Sequence, residues 1–127
     1  MANGLKILLV DDNMMVIKAL GWALEAWGHQ VRLATDGVTA LAIAKEFKPD
    51  AAVLDLTLPG MNGLEIAQNI RADEHLKNCL LIAQTGWTQP EHKHRSLEAG
   101  FNHHLVKPVD AALIQNLLLD LHKSAVA

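Results

Sequence analysis

Five short apolar runs alternate with segments of helical spacing along the whole chain, and this alternation constrains the fold more than any other feature of the sequence. The second run carries polar residues at Gln30 and Arg32, which indicates a strand at the edge of a sheet. The predicted strands are 5–10, 29–34, 51–54, 79–83 and 103–106, and the predicted helices are 13–27, 37–47, 63–72, 90–99 and 110–123. Since strands that alternate with helices form right-handed βαβ units, the sequence predicts a three-layer α/β/α sandwich around a five-stranded parallel sheet.

Length and composition indicate one domain, 1–127. The chain has 127 residues, of which 50% are hydrophobic and 20% are charged, as in ordinary globular proteins. Its net charge of −3 gives no electrostatic reason to bind nucleic acid or anionic lipid directly. Cys79 is the only cysteine, so no internal disulfide can form, and a reducing cytosol fits that composition. No run reaches the roughly 18 apolar residues of a membrane span, and we expect a cytoplasmic domain without membrane contact.

Reactive side chains follow four of the predicted strands. The first strand ends at Asp11 and Asp12, the third at Asp55, the fourth at Thr85 and the fifth at Lys107. In an open α/β sheet the carboxyl ends of the strands meet at one edge, so we expect these groups to lie together. Each residue alone has a structural explanation, as a helix cap, a turn residue or a loop residue, but the complete set favours a functional site.

The chemistry of this set indicates a metal ion and phosphoryl transfer. Neighbouring carboxylates raise one another's pKa unless a cation lies among them. Ligands that are all oxygen select a hard ion, and Mg²⁺ is the natural choice. Such a site prepares one carboxylate, Asp55, to attack phosphorus and form an acyl phosphate. The metal and Lys107 would neutralise the transferring group, and Thr85 could hydrogen-bond one of its oxygens.

Four segments, "ILLVDDN", "VLDLTLPGMNGLE", "LIAQTG" and "HHLVKPVD", resemble the receiver domain of two-component response regulators. The resemblance covers essentially the whole chain. The acidic pair, an Asp with Pro at +4 and Gly at +8, the Thr and the Lys-Pro pair all occur in the family's order. The resemblance implies the strand order 2-1-3-4-5. The segment "TGW…EAGFNHHLVKPVD" is most similar to receivers attached to hybrid histidine kinases.

The resemblance also implies roles for individual residues. Asp55 matches the phosphoacceptor, and Asp11 and Asp12 match the acidic pair at Mg²⁺, with Asp12 as the direct ligand. The backbone carbonyl of Thr57 matches a further metal ligand, and Lys107 matches the residue that bridges to the phosphoryl group. The implied function is to accept a phosphoryl group from a histidine kinase or a histidine phosphotransfer domain and to switch a partner or output surface. The protein would promote both its own phosphorylation and its own dephosphorylation, the latter slowly, and it would not be a turnover enzyme.

Three positions near the site depart from the family pattern or stay open. Gly86 follows the threonine where the family often has alanine. His104 stands where many receivers have a Tyr or Phe that turns inward on phosphorylation, so it is either a switch residue together with Thr85 or a plain exposed residue. Trp87 either shields the phosphoryl group or packs on its own loop.

The helix 13–27 is predicted to bury one face and to offer the other to a partner. By helical spacing, the predicted core face is Val16, Leu20, Ala23, Leu24 and Trp27. The opposite face is Met14, Met15, Lys18 and Trp22. Exposed Met and Trp favour a contact surface. We expect Met14, Met15, Lys18 and Pro108 to dock the phosphodonor. A homodimer through helix 90–99, strand 103–106 and helix 110–123 is a further expected contact.

Other functions fit the residues less well. His92, His94, His103 and His104 could suggest a metal site, but a spacing of two on a helix, or of one on a strand, points the side chains apart. A phosphatase of the haloacid-dehalogenase type needs a second Asp two residues after the first, where this chain has Thr57. A nucleotide-binding module needs a glycine-rich first loop, and "VDDNMM" provides none. A receiver-like interaction module that never takes phosphate stays the alternative. The residues leave open the cognate kinase, the output, and whether the chain acts alone or within a longer protein.

Overall fold

Five parallel strands form one sheet at the centre of the molecule. The computed structural model describes residues 4–58, 60–86 and 99–126, with 120–126 described as backbone. The strands are β1 Lys6–Val10, β2 Gln30–Ala34, β3 Ala51–Asp55, β4 Leu80–Thr85 and β5 His103–Val106. Their order in the sheet is β2-β1-β3-β4-β5, and all neighbouring pairs are parallel. The predicted sandwich and its strand order are therefore confirmed, and β2 is an edge strand as predicted.

Four helices in the described part of the chain connect or follow the strands. They are α1 Met14–Ala26, α2 Gly37–Phe47, α3 Gly63–Ala72 and α4 Ala111–Val126. The first three begin at an Asn or Asp whose side chain accepts a hydrogen bond from a backbone N–H of the first turn: Asn13, Asp36 and Asn62. The predicted helix 90–99 lies, except for its last residue, outside the described residues. So do Trp87, His92, His94 and much of the expected homodimer face.

The sheet separates two hydrophobic cores. Successive residues of β1, from Ile7 to Val10, are fully buried and point alternately into one core and the other. One core lies under α2 and α3, and the other lies under α1 and α4. Because β1, β3 and β4 are apolar on both sides, they can lie only in the interior of a covered sheet, as the sequence predicts.

The predicted core face of α1 was partly wrong. Val16 and Trp27 are 40% and 49% exposed, and Ala23 is only half-buried. The buried positions are Ile17, Leu20, Gly21 and Leu24. The buried face is thus turned towards Gly21, which faces the side chains of β2. A Cβ at Gly21 would lie 3.4 Å from the Val31 side chain. The opposite face is exposed as predicted, with Met15 at 78% and Trp22 at 69%.

His29 connects the start of β1 to α4. Its Nδ1 accepts a hydrogen bond from the backbone N–H of Leu5 at 3.0 Å, and its Nε2 lies 2.6 Å from Oε1 of Gln115. Because a backbone N–H can only donate, Nδ1 is the acceptor, and Nε2–H donates to Oε1 of Gln115. No helix in the described part of the chain is long and apolar enough to cross a membrane.

Candidate functional site

Strand register brings four polar side chains to the same face of the sheet at its carboxyl edge. Asp55 at the end of β3 pairs in register with Gln84 of β4, and Gln84 pairs with Leu105 of β5. Lys107 lies two residues beyond Leu105, and Asp11 lies two residues beyond Leu9. Both Leu105 and Leu9 point into the core under α1 and α4. Since side chains alternate along a strand and paired residues share a face, all four point to the side covered by α1 and α4.

Lys107 forms ion pairs with two buried carboxylates. Its Nζ lies 2.7 Å from Oδ2 of Asp55 and 2.9 Å from Oδ2 of Asp11. The other oxygen of each acid accepts a backbone N–H from two residues ahead, from Thr57 to Asp55 and from Asn13 to Asp11, both at 2.9 Å. Asp11 and Asp55 are 0% and 2% exposed. These contacts fix the orientation of both carboxylates before any ligand arrives.

Burial and ion pairing shift the pKa values of Asp55 and Lys107 in opposite directions. Burial raises the pKa of Asp55, although the hydrogen bonds from Lys107 and Thr57 act in the opposite direction. Burial alone would lower the pKa of Lys107, but its hydrogen bonds to Asp55 and Asp11 outweigh that effect and raise it. One lysine therefore serves two buried acids, and the site has more negative than positive charge.

Asp12 completes a group of three acids that could surround a cation. Asp11, Asp12 and Asp55 each offer a carboxylate oxygen, and these oxygens lie within 4.8 Å of one another. Asp12 is exposed, and its side chain makes no hydrogen bond or ion pair with the residues that the structure describes. Both oxygens of Asp11, in contrast, already accept hydrogen bonds. The all-oxygen donor set fits a hard divalent ion such as Mg²⁺, with Asp12 the acid that is freest to ligate it.

The other residues predicted for the site lie around this group. Thr85 follows Gln84 on β4 and is buried on the opposite face of the sheet, and its carbonyl accepts the backbone N–H of Lys107 at 2.8 Å. Thr57 is exposed just beyond Asp55. His104 is half-buried and pairs in register with Ala83, so it shares the face of Thr85 rather than that of Lys107.

A groove of about 600 Å³ lies between α1 and the segment after β5. Pro108, which follows a cis peptide bond, lines this groove, as do Asp11 and Asp12. Met14, Met15 and Lys18 are exposed on α1 but do not line it. Val16, expected in the core, lines the groove together with Ala19. The predicted docking residues therefore fall into two neighbouring places, the outer face of α1 and the rim of the groove.

Gln84 is a residue of the site that is absent from the set predicted from the sequence. Its side-chain Nε2 donates a hydrogen bond to Oδ2 of Asp11 at 3.3 Å, and it lines the groove. The available signal was its polarity, because the four preceding residues of β4, Leu80–Ala83, are all apolar and buried. A polar residue inside such a run indicates a partner on a neighbouring strand or loop.

The first residue of α3, a glycine, packs against the strand end that carries Asp55. The turn after β3 leads into α3 at Gly63, where an added Cβ would overlap the carbonyl oxygen of Asp55. The start of α3 therefore packs directly against the end of the strand that carries Asp55. Only glycine permits this approach, which explains the glycine at +8 from the acid.

Comparison with known proteins gives a consistent result. The family model described as the response regulator receiver domain matches residues 7–119. The chemotaxis protein CheY-3 of Vibrio cholerae is 36% identical over 117 residues, which are 91% of this chain and 90% of that protein. The DNA-binding response regulator MtrA of Mycobacterium tuberculosis is 34% identical over 103 residues, 81% of this chain but only 44% of MtrA.

Solved structures agree with these relatives. CheY4 of Vibrio cholerae superimposes with a TM-score of 0.86 at 29% identity and covers 92% of this chain and 98% of its own. The receiver domain of the sensor histidine kinase PA1611 from Pseudomonas aeruginosa gives a TM-score of 0.81 at 33% identity and covers 91% of this chain and 94% of its own. That structure has a magnesium ion coordinated in its active-site cleft. The chain described here belongs to the response regulator receiver domains of two-component signalling.

Proposed function

We propose that this receiver, taken as a single unit over 1–127, accepts a phosphoryl group on Asp55 in the presence of Mg²⁺. The observation that carries the proposal is the position of Lys107, whose ammonium joins Asp55 and Asp11 beside the exposed Asp12. A buried, oriented carboxylate next to a cation and an open divalent site is what attack on a phosphorus atom requires.

The chemistry assigned to each group follows from its contacts. An oxygen of Asp55 attacks phosphorus, the bond from phosphorus to the donor's imidazole nitrogen breaks, and its electron pair stays on the imidazole, which takes a proton. Lys107, already 2.7 Å from Asp55, donates to a phosphoryl oxygen. Bound Mg²⁺ would neutralise the remaining negative charge, held by Asp12, Asp55 and the Thr57 carbonyl, with Asp11 orienting one of its waters. Thr85, which lies on the other face of the sheet, would turn towards Asp55 to hydrogen-bond a phosphoryl oxygen, and His104, on the same face as Thr85, would respond to that movement.

The phosphodonor proposed here is a phosphohistidine on a helix of a histidine kinase or phosphotransfer domain. The outer face of α1 carries Met14 and Met15, and Lys18 adds a positive charge. The groove beside α1 is lined by both Pro108 and Asp12. A helix that lies across both places brings its histidine to the acids, and the apolar contacts suit a small, transient interface. The net charge of −3 supports output through protein contacts rather than through direct contact with nucleic acid.

Uptake of phosphate from a small donor tests the proposal. The chain is incubated with acetyl phosphate or phosphoramidate, with and without Mg²⁺, and its intact mass is measured. We expect one added phosphoryl group in the wild type with Mg²⁺, and none in Asp55→Asn. Equal uptake by both proteins would refute the assignment of Asp55. No uptake by the wild type, with Mg²⁺ binding retained, would favour an interaction module that works without phosphate.

A further inference from the structure

Gln84 is buried at 1% exposure at the carboxyl end of β4, although the rest of the strand before it is apolar. An amide in such a place is costly to bury without a partner, and an apolar side chain would fit the strand better. Its Nε2 group donates to Oδ2 of Asp11, at 3.3 Å. The partner is thus one of the three acids of the candidate metal site, 73 residues earlier in the chain.

The two donors to Oδ2 of Asp11 differ in how permanent they are. Lys107 lies 2.9 Å from this oxygen but also 2.7 Å from Asp55, so its ammonium is shared. A phosphoryl group on Asp55 would draw Lys107 towards itself, because the group is an anion next to the lysine. Gln84 has no such competing partner among the hydrogen bonds in the described part of the chain, and its backbone is fixed within the sheet. The amide would therefore keep its contact with Asp11 when the lysine turns away.

We infer that Gln84 is a positioning residue that holds the Asp11 carboxylate in its orientation towards the metal, independently of Lys107; this inference rests on the proposed function of the site. Groups that orient a carboxylate near a metal contribute to its affinity without touching the ion. Because the amide is neutral, it orients Asp11 without cancelling the negative charge that attracts the cation. Lys107 can orient Asp11, but its positive charge cancels part of the negative charge that attracts the cation.

The test is a titration of the wild type and of Gln84→Met with Mg²⁺ as the only ligand. The NMR signals of the backbone amides give the affinity. Methionine has nearly the length and shape of glutamine but has no N–H. Ile82→Met is the matched control, since Ile82 lies two residues earlier on the same strand and points into the same core. We expect Gln84→Met to bind Mg²⁺ roughly tenfold more weakly, with its thermal midpoint close to that of Ile82→Met, and Ile82→Met to bind as the wild type does.

A double-mutant cycle with Asp11→Asn separates positioning from a general structural effect. If Gln84 acts through Asp11, adding Gln84→Met to Asp11→Asn causes no further loss of Mg²⁺ affinity. An equal loss in both backgrounds, or a change of less than twofold in Gln84→Met alone, would overturn the inference. Should Gln84→Met not fold, the side-chain NH₂ signals of Gln84 in Asp11→Asn give the answer: a clear shift supports the contact, and unchanged signals contradict it.

The two proposals can fail separately. Loss of phosphate uptake on Asp55, with a Gln84 effect on Mg²⁺ affinity still present, would remove the proposed function and leave Gln84 as an organiser of a metal site. Normal phosphate uptake with no Gln84 effect would remove only the inference. A wild type that binds no Mg²⁺ would remove both.

Discussion

Asp11 and Asp12 are adjacent in the chain, yet the structure gives them opposite surroundings. Asp11 is fully buried and accepts hydrogen bonds on both oxygens, whereas Asp12 is exposed and unattached to the residues described. The sequence predicts that both lie at the edge of the sheet, because both follow β1. It cannot predict how far each acid is buried, because that depends on Gln84 of β4 and Lys107 beyond β5, which lie far away in the chain.

This difference predicts unequal effects on metal binding. Asp12→Ala should weaken Mg²⁺ binding more than Asp11→Ala, because loss of a direct ligand exceeds the roughly 10- to 100-fold loss typical of a group that only orients the ligands. Calorimetric titration of the two variants with Mg²⁺ checks the order. Unchanged affinity in Asp12→Ala would contradict its role as a ligand.

The buried charge of Asp55 predicts a stability difference that depends on pH. Burial raises its pKa above the ordinary 3.8, so the acid holds its proton more tightly in the folded state. Its contribution to stability is then full below pH 3.8 and is lost as the pH rises through the folded-state pKa. Asp55→Asn should therefore melt a few degrees higher than the wild type at pH 7 without Mg²⁺, and the difference should vanish towards pH 4.

Asp36 provides a control of opposite sign for that measurement. Hydrogen bonds from the backbone and side chain of Thr39 lower the pKa of Asp36, so its contribution is present at neutral pH and is lost as the pH falls through the lowered pKa. Asp36→Ala should melt lower than the wild type at pH 7. A wild type that melted above Asp55→Asn at pH 7 would contradict the cost assigned to the buried carboxylate.

At the scale of the element, α1 shows where hydrophobic periodicity succeeds and where it fails. The pattern correctly exposes Met15 and Trp22. It misplaces Val16, because neighbouring Val16 and Ile17 are both apolar and periodicity cannot choose between them. The choice depends on how α1 packs against β2, where Gly21 faces the side chains of Val31 and Leu33. Val16 is left facing the groove beside the acids.

A substitution on the exposed face of α1 should slow phosphoryl transfer from the partner without slowing phosphorylation by a small donor. Met15→Lys should slow phosphoryl transfer from a phosphohistidine domain about tenfold or more, as for a central residue of a small interface. Phosphorylation by acetyl phosphate should stay as in the wild type. The control is Val38→Lys on α2, since Val38 is 72% exposed on the other side of the sheet. If both rates fell together in Met15→Lys, the docking role would be wrong.

In the whole molecule, the candidate site lies at the carboxyl edge of the sheet, and a separate set of side-chain hydrogen bonds lies at the opposite edge. At that edge Arg71, at the end of α3, donates five hydrogen bonds, four to backbone carbonyls of Lys77, Cys79 and Gly100 and one to the side chain of Asn102. These bonds connect α3 to the starts of β4 and β5. The alternation of strands and helices predicts the sandwich, but it contains no information on such side-chain bonds between distant loops.

Replacement of Arg71 should therefore lower the stability of the fold without lowering its affinity for Mg²⁺. Arg71→Lys keeps the charge but cannot reproduce the planar set of donors, so several half-buried carbonyls lose their partners. We expect a decrease of roughly 2–3 kcal/mol in the free energy of unfolding, measured by urea denaturation. The Mg²⁺ affinity of the folded protein should be within twofold of the wild type. A Mg²⁺ affinity that fell with stability would mean that the two edges are coupled.

The parallel arrangement has a consequence for how such a unit can be tethered. β1 runs from Lys6 towards the acids, and α4 begins beyond β5 on the same side and runs back to Val126, as helices do after parallel strands. The start of β1 and the end of α4 thus both lie away from the cleft. A linker, a fluorescent protein or another domain joined at either end would leave the approach to Asp12 and Asp55 open. Covalent attachment and the proposed phosphoryl delivery would then use opposite poles of the molecule.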